Sequence, residues 1–85
     1  MPYTLRLRPA AVRDLKALPL GIKARIEKAI DSLQANPHPS GSRKLIGFEN
    51  EWRLRVGNYR VLYVIDDSTH SVVVARIAHR REAYR

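Results

Sequence analysis

Residues 52–67 read WRLRVGNYRVLYVIDD. At its start Trp52, Leu54 and Val56 alternate with Arg53 and Arg55, the period of two that marks a strand with one buried and one open face. Gly57-Asn58 is a dipeptide suited to a tight reversal. After it Tyr59, Val61, Tyr63 and Ile65 alternate with Arg60, Leu62 and Val64. Both faces of this second strand are mostly apolar, which places it in the interior of a sheet. The stretch predicts a hairpin whose apolar side needs a second layer and whose other side carries Arg53, Arg55 and Arg60.

Working outward, Asp66-Asp67-Ser68-Thr69 supplies the next turn and Ser71–Ala78 the next strand, so the three strands form an antiparallel meander. Arg43–Ile46 is a candidate shorter strand before them. The segment NPHPSGS at 36–42 can continue neither a helix nor a central strand, because its prolines and glycine break both. Ahead of it, Ile22, Ile26, Ala29, Ile30 and Leu33 form one stripe of a helix over Leu20–Ala35. A shorter helix runs from Pro9 to Leu18, with Ala11, Val12, Leu15 and Leu18 on its apolar face, and stops before Pro19. Tyr3–Arg8, with Tyr3, Leu5 and Leu7 alternating against Thr4, Arg6 and Arg8, reads as a first strand.

The fold class predicted is α+β. Two antiparallel N-terminal helices pack on a twisted, mainly antiparallel β-sheet in the order β-α-α-β-β-β, with one extra short strand possible. Its core should join Ile22, Ile26, Ile30 and Leu33 to Trp52, Leu54 and the valines of the last two strands.

A chain of 85 residues provides one small domain, residues 1–85. Its 45% hydrophobic and 28% charged composition argues for a packed core over a disordered polyelectrolyte. Cysteine is absent, so neither a disulfide framework nor a thiolate metal site is expected, which leans towards the cytoplasm. No apolar run is long enough to suggest a membrane span or a signal peptide. Sixteen basic residues stand against eight acidic ones, a formal charge of +8. Basic residues exceed acidic ones in both halves of the sequence, so the charge belongs to the folded body, and a polyanion or an acidic protein is the expected partner.

Two constellations can carry chemistry. Arg53 and Arg55 share a strand face, with Arg60 on the neighbouring strand and Lys44 upstream; planar guanidinium forks match phosphate oxygens. HRREAY at 79–84 gathers His79, Arg80, Arg81 and Tyr84 at the end of the last strand. Histidine can move a proton near neutral pH, arginine can offset charge on a phosphorane-like oxygen, and tyrosine can stack on a base or donate a proton. Trp52, Tyr59 and Tyr63 read as packing residues, and His38 and His70 as loop residues. No HExxH, acidic cluster, glycine-rich phosphate loop or nucleophile elbow occurs, so no metal or cofactor is expected.

The succession of LRPAAVRDLKALP at 7–19, NPHP at 36–39, RKLIG at 43–47, WRLRVGNYRVLYVIDD at 52–67 and IAHRREAYR at 77–85 resembles the RelE/ParE superfamily of bacterial type II toxins. The similarity is greatest to its RelE-like, messenger-RNA-cleaving branch and spans nearly the whole chain. What the resemblance implies is a toxin neutralised by a cognate, RelB-like antitoxin. It would act on messenger RNA in the ribosomal A site without a metal, the ribose 2′-hydroxyl attacking the adjacent phosphate.

Carried over by position, the resemblance implies RNA-binding roles for Lys44, Arg53, Arg55, Arg60 and Arg81, and catalytic ones for Arg60, Arg80 and Tyr84. Arginine stays protonated and is a poor general base where some family members have lysine, so proton acceptance moves to His79. The ParE branch, which binds and poisons DNA gyrase without hydrolysing RNA, is the alternative, and a purely nucleic-acid-binding domain a third. The short first helix and the presence of HRREAY favour the RelE-like reading.

Overall fold

The computed structural model describes residues 2–45 and 50–79. Strand β1 (Thr4–Leu7) leads to helices α1 (Pro9–Lys16) and α2 (Leu20–Ser32), followed by β2 (Ser42–Lys44), β3 (Glu51–Val56), β4 (Tyr59–Asp66) and β5 (Ser71–His79). Both helices are shorter than their apolar stripes. Leu18 N–H bonds to the Leu15 carbonyl, and the N–H groups of Leu33, Gln34 and Ala35 bond to the carbonyls of Ile30, Asp31 and Ser32. These i→i−3 bonds tighten each helix exit into a narrower turn, the usual outcome where a helix runs out beside a proline or an Asn-Pro pair.

The sheet order is β1-β5-β4-β3-β2. β2 is the extra short strand, and β2, β3, β4 and β5 pair antiparallel in succession. The exception is β1, which lies parallel to β5, Thr4 opposite Ser71 and Leu7 opposite Val74. The turn between β3 and β4 has its left-handed residue at Gly57 (φ +58°), as a type II′ reversal requires at its first central position.

The helices cover one face of the sheet. Ala11, Ile26, Ile30 and Leu33 pack on Leu54, Val61, Tyr63, Ile65, Val72, Val74 and Ile77, all buried. Ile22 and Trp52, expected in the core, are half-buried at its margin. The Tyr63 hydroxyl donates to the Pro37 carbonyl at 2.8 Å, and His38 meets the Trp52 ring edge-on at 4.5 Å, so the proline-rich loop is tied down from both sides. Among the described residues, no helix is long and apolar enough to cross a membrane.

One irregularity sets the end of β5. Leu62 pairs with Arg76 but Tyr63 with Val74, so Ala75 is an extra residue, a β-bulge that shifts every later side chain of β5 to the other face. β1 has ended by this point, and Asp14 of α1 takes the place of a strand. Its Oδ2 accepts the Ile77 N–H at 2.9 Å and Arg76 Nε at 2.7 Å, while Oδ1 accepts Arg76 Nη2 at 3.2 Å.

Burial pushes the Asp14 carboxyl up, but the Arg76 guanidinium and the Ile77 N–H outweigh it and hold it below the ordinary range. A carboxyl depressed in the folded state stabilises the fold above its unfolded pKa, and this is lost as pH falls through the folded value. Asp14→Asn should therefore cost about 1 kcal/mol at pH 7, modest because Arg76 is half-exposed. The gap to wild type should close as the pH drops below about 4, measured by urea melts across pH. A gap independent of pH would show that the charge is not what matters.

Candidate nucleic-acid interface

The face turned away from the helices is built by alternation. Leu54 is buried, so Arg53 and Arg55 on either side of it stand on the open face. Pairing register then decides their neighbours. Arg55 lies opposite Arg60 of β4, and Arg53 lies opposite Arg43 of β2. Two arginine pairs thus occupy adjacent rows of one face, about 7 Å apart along the strands. Like charges directly opposite each other oppose pairing instead of supporting it. Arg60 is also only 8% exposed, the one buried charged residue among those described, with Arg55 on one side and the small Ala78 on the other.

Gly41, Arg43, Arg53, Arg55 and Arg60 line an open depression of about 250 Å³. Gly41 has a left-handed backbone (φ +93°), and its carbonyl accepts the Arg55 N–H at 3.4 Å, continuing the ladder where β2 stops. Among the described residues, the lining of the depression contains four guanidinium groups. A concave surface of this kind focuses positive potential and offers forked donors to phosphate oxygens.

Of the residues singled out in the sequence, Arg53, Arg55 and Arg60 are brought together. Lys44 pairs with Trp52, out of step with Arg43 and Arg53, and borders a neighbouring depression alongside both. His79 lies opposite Tyr59, and the two rings meet edge-to-face at 5.3 Å. Tyr59 packs against the core, so the imidazole stands on the helix side of the sheet, across from the arginines. Simple alternation from Val72 and Val74 would have put it with them; the bulge at Ala75 reverses the sides. Arg80, Arg81 and Tyr84 lie outside the described residues.

Arg43 was not singled out from the sequence. Its strand was legible, but which face a three-residue strand presents depends on its register with β3, which the loop at 36–42 sets. Arg76, also unremarked, falls in the row of Arg53 and Leu62 by register but turns its guanidinium to Asp14 at the sheet edge.

Comparison with known proteins gives a consistent answer. Residues 5–84 match the family model of the ParE toxin of type II toxin–antitoxin system, parDE. Toxin RelG of Mycobacterium tuberculosis is 40% identical over 86 residues, covering 100% of this chain and 99% of that protein. The chain belongs to the RelE/ParE superfamily. It is the toxin component of a type II toxin–antitoxin system, on the RelE-like side.

Solved structures place this RelE-like toxin the same way. The toxin–antitoxin complex RelBE2 from Mycobacterium tuberculosis superposes with a TM-score of 0.82 at 35% identity, covering 94% of this chain and 100% of that one. The archaeal RelE–RelB complex from Pyrococcus horikoshii gives 0.84 at 26% identity, covering 98% and 100%. The α+β architecture expected from the sequence is thus the architecture of the family.

Proposed function

We propose that this RelE-like toxin is an endoribonuclease that cuts messenger RNA in the ribosomal A site. The observation that carries the reading is the depression on one face of the sheet into which Arg43, Arg53, Arg55 and Arg60 converge from three strands. Guanidinium forks set in adjacent rows of one face offer paired, charge-assisted donors, and the oxygens of a phosphodiester are the acceptors whose geometry they match.

RNA carries its own nucleophile, so the protein has to position the strand and compensate charge. The ribose O2′ bonds to the adjacent phosphorus as its proton passes to a base, and the bond to the 5′-oxygen breaks. The leaving 5′-oxygen takes a proton from a general acid or from solvent, so that a 2′,3′-cyclic phosphate and a 5′-hydroxyl result. Arg53 and Arg55 hold the strand, Arg60 and Arg80 offset the charge growing on the phosphorane oxygens, and Tyr84 stacks on a base or assists the leaving oxygen. His79 takes the 2′-proton, which requires its ring to leave Tyr59 and come round the end of β5. The roles of Arg80, Arg81 and Tyr84 rest on the resemblance alone. A cognate RelB-like antitoxin would present carboxylates to the same arginine face.

The family model's ParE description favours a second reading, in which the chain binds and poisons DNA gyrase. Purified toxin incubated with programmed ribosomes should generate new messenger-RNA ends bearing a 2′,3′-cyclic phosphate, and added antitoxin should abolish them. Intact messenger RNA together with inhibited gyrase supercoiling would select the second reading. New ends carrying a 3′-hydroxyl and a 5′-phosphate in place of a 2′,3′-cyclic phosphate and a 5′-hydroxyl would keep the nuclease but overturn the route through the 2′-hydroxyl.

A further inference from the structure

We propose that Arg43 and Arg53 form the shared wall between two adjacent phosphodiester subsites, so that the arginine face holds two consecutive phosphates of an RNA strand. This deepens the ribonuclease reading and rests on it. A second depression of about 240 Å³ adjoins the first, nearly equal in size, and the two have Arg43 and Arg53 in common. The first continues to Arg55 and Arg60; the second continues to Lys44 and Leu45.

The two are displaced along the strands. Gly41 lies beside Arg55, Arg43 opposite Arg53, and Leu45 beside Glu51, whose carbonyl accepts the Leu45 N–H at 2.8 Å. Each step of two residues advances about 7 Å, the length scale of one nucleotide in an extended strand. The second subsite has a different chemistry from the first. The Arg43 and Arg53 guanidinium groups would hold a phosphate, Lys44 borders the depression from the other side of β2, and the half-buried Leu45 offers an apolar edge to a ribose or base. Glu51 occupies the next position along β3 on the arginine face, so the basic register ends after two phosphates.

Arg43 is exposed on an edge strand and lies directly opposite another cation, so removing its charge should not harm the fold. The experiment is single-turnover cleavage on programmed ribosomes by wild type, Arg43→Gln and Arg43→Lys over a range of salt. It is repeated with a single neutral methylphosphonate placed at each linkage flanking the cut in turn.

Arg43→Gln should lower kcat/KM about tenfold and reduce the slope of log(kcat/KM) against log salt by about one unit. Arg43→Lys should restore most of both, and the melting temperature of the Gln variant should be unchanged or higher. At one methylphosphonate position, Arg43→Gln should have no further effect, which identifies the messenger-RNA phosphate it holds. If the Arg43→Gln loss persists at every methylphosphonate position, the phosphate belongs to ribosomal RNA and the consecutive-phosphate proposal is overturned. Wild-type cleavage with an unchanged salt slope in Arg43→Gln removes the subsite and leaves the ribonuclease reading standing. If wild type itself fails to cleave, that reading falls and the subsite falls with it.

Discussion

Arg60→Gln should slow single-turnover cleavage of ribosome-bound messenger RNA by about 10²- to 10³-fold at saturating toxin, the usual consequence of losing one donor aimed at developing charge. The size of the effect follows from where the side chain lies. At 8% exposure, beside Arg55, its guanidinium works in a surrounding of lower dielectric than its exposed neighbours do. Arg55→Gln, at an exposed position of the same face, should instead act on binding, raising KM and lowering the salt dependence with little change in the saturated rate. In the same assay His79→Gln should flatten the pH dependence of the rate. A full saturated rate in Arg60→Gln would confine that residue to binding, and an unaltered pH profile in His79→Gln would assign the proton to another group.

Ile26→Ala should destabilise the fold by about 2–5 kcal/mol. Ile26 is completely buried where α2 meets the sheet, and truncation leaves a cavity that neighbouring core residues cannot fill without moving. For a domain of this size such a loss is a large part of the total, and the melting temperature should fall by at least about 10 °C. Chemical denaturation of both proteins checks this. A change below about 0.5 kcal/mol would mean that the α2 stripe is not what holds the helix on the sheet.

Much of this architecture is legible because two periods are written cleanly in the chain. Alternation in WRLRV and YRVLYVI fixes both the hairpin and the side on which its arginines stand, and the spacing of Ile26, Ile30 and Leu33 fixes the buried stripe of α2. What alternation cannot show is a change of phase. Ala75 is an ordinary strand residue, and nothing in Val72-Val73-Val74-Ala75 announces that one position is doubled. The expected company of His79 and the arginines was therefore reversed by a single inserted residue. The position of Arg43 was hidden for a related reason, since its register is imposed by a distant partner strand. The parallel placement of β1 was likewise not written in its own four residues; the site that receives it exists only once β5 is in place.

That placement has a kinetic consequence. The β3–β4 hairpin needs only a two-residue turn and can close early, whereas β1 must wait for β5, which follows every other strand of the sheet in the chain. Closing so long a loop is entropically costly until other contacts have drawn the ends together, so the pairing of Thr4–Leu7 with Ser71–Val74 belongs to a late step in folding. A nascent chain still lacking β5 has its arginine hairpin, but neither the central seam of the sheet nor the valines on which α1 and α2 settle. The finished sheet, and with it the arginine face in its final frame, therefore comes into being only once β5 has joined.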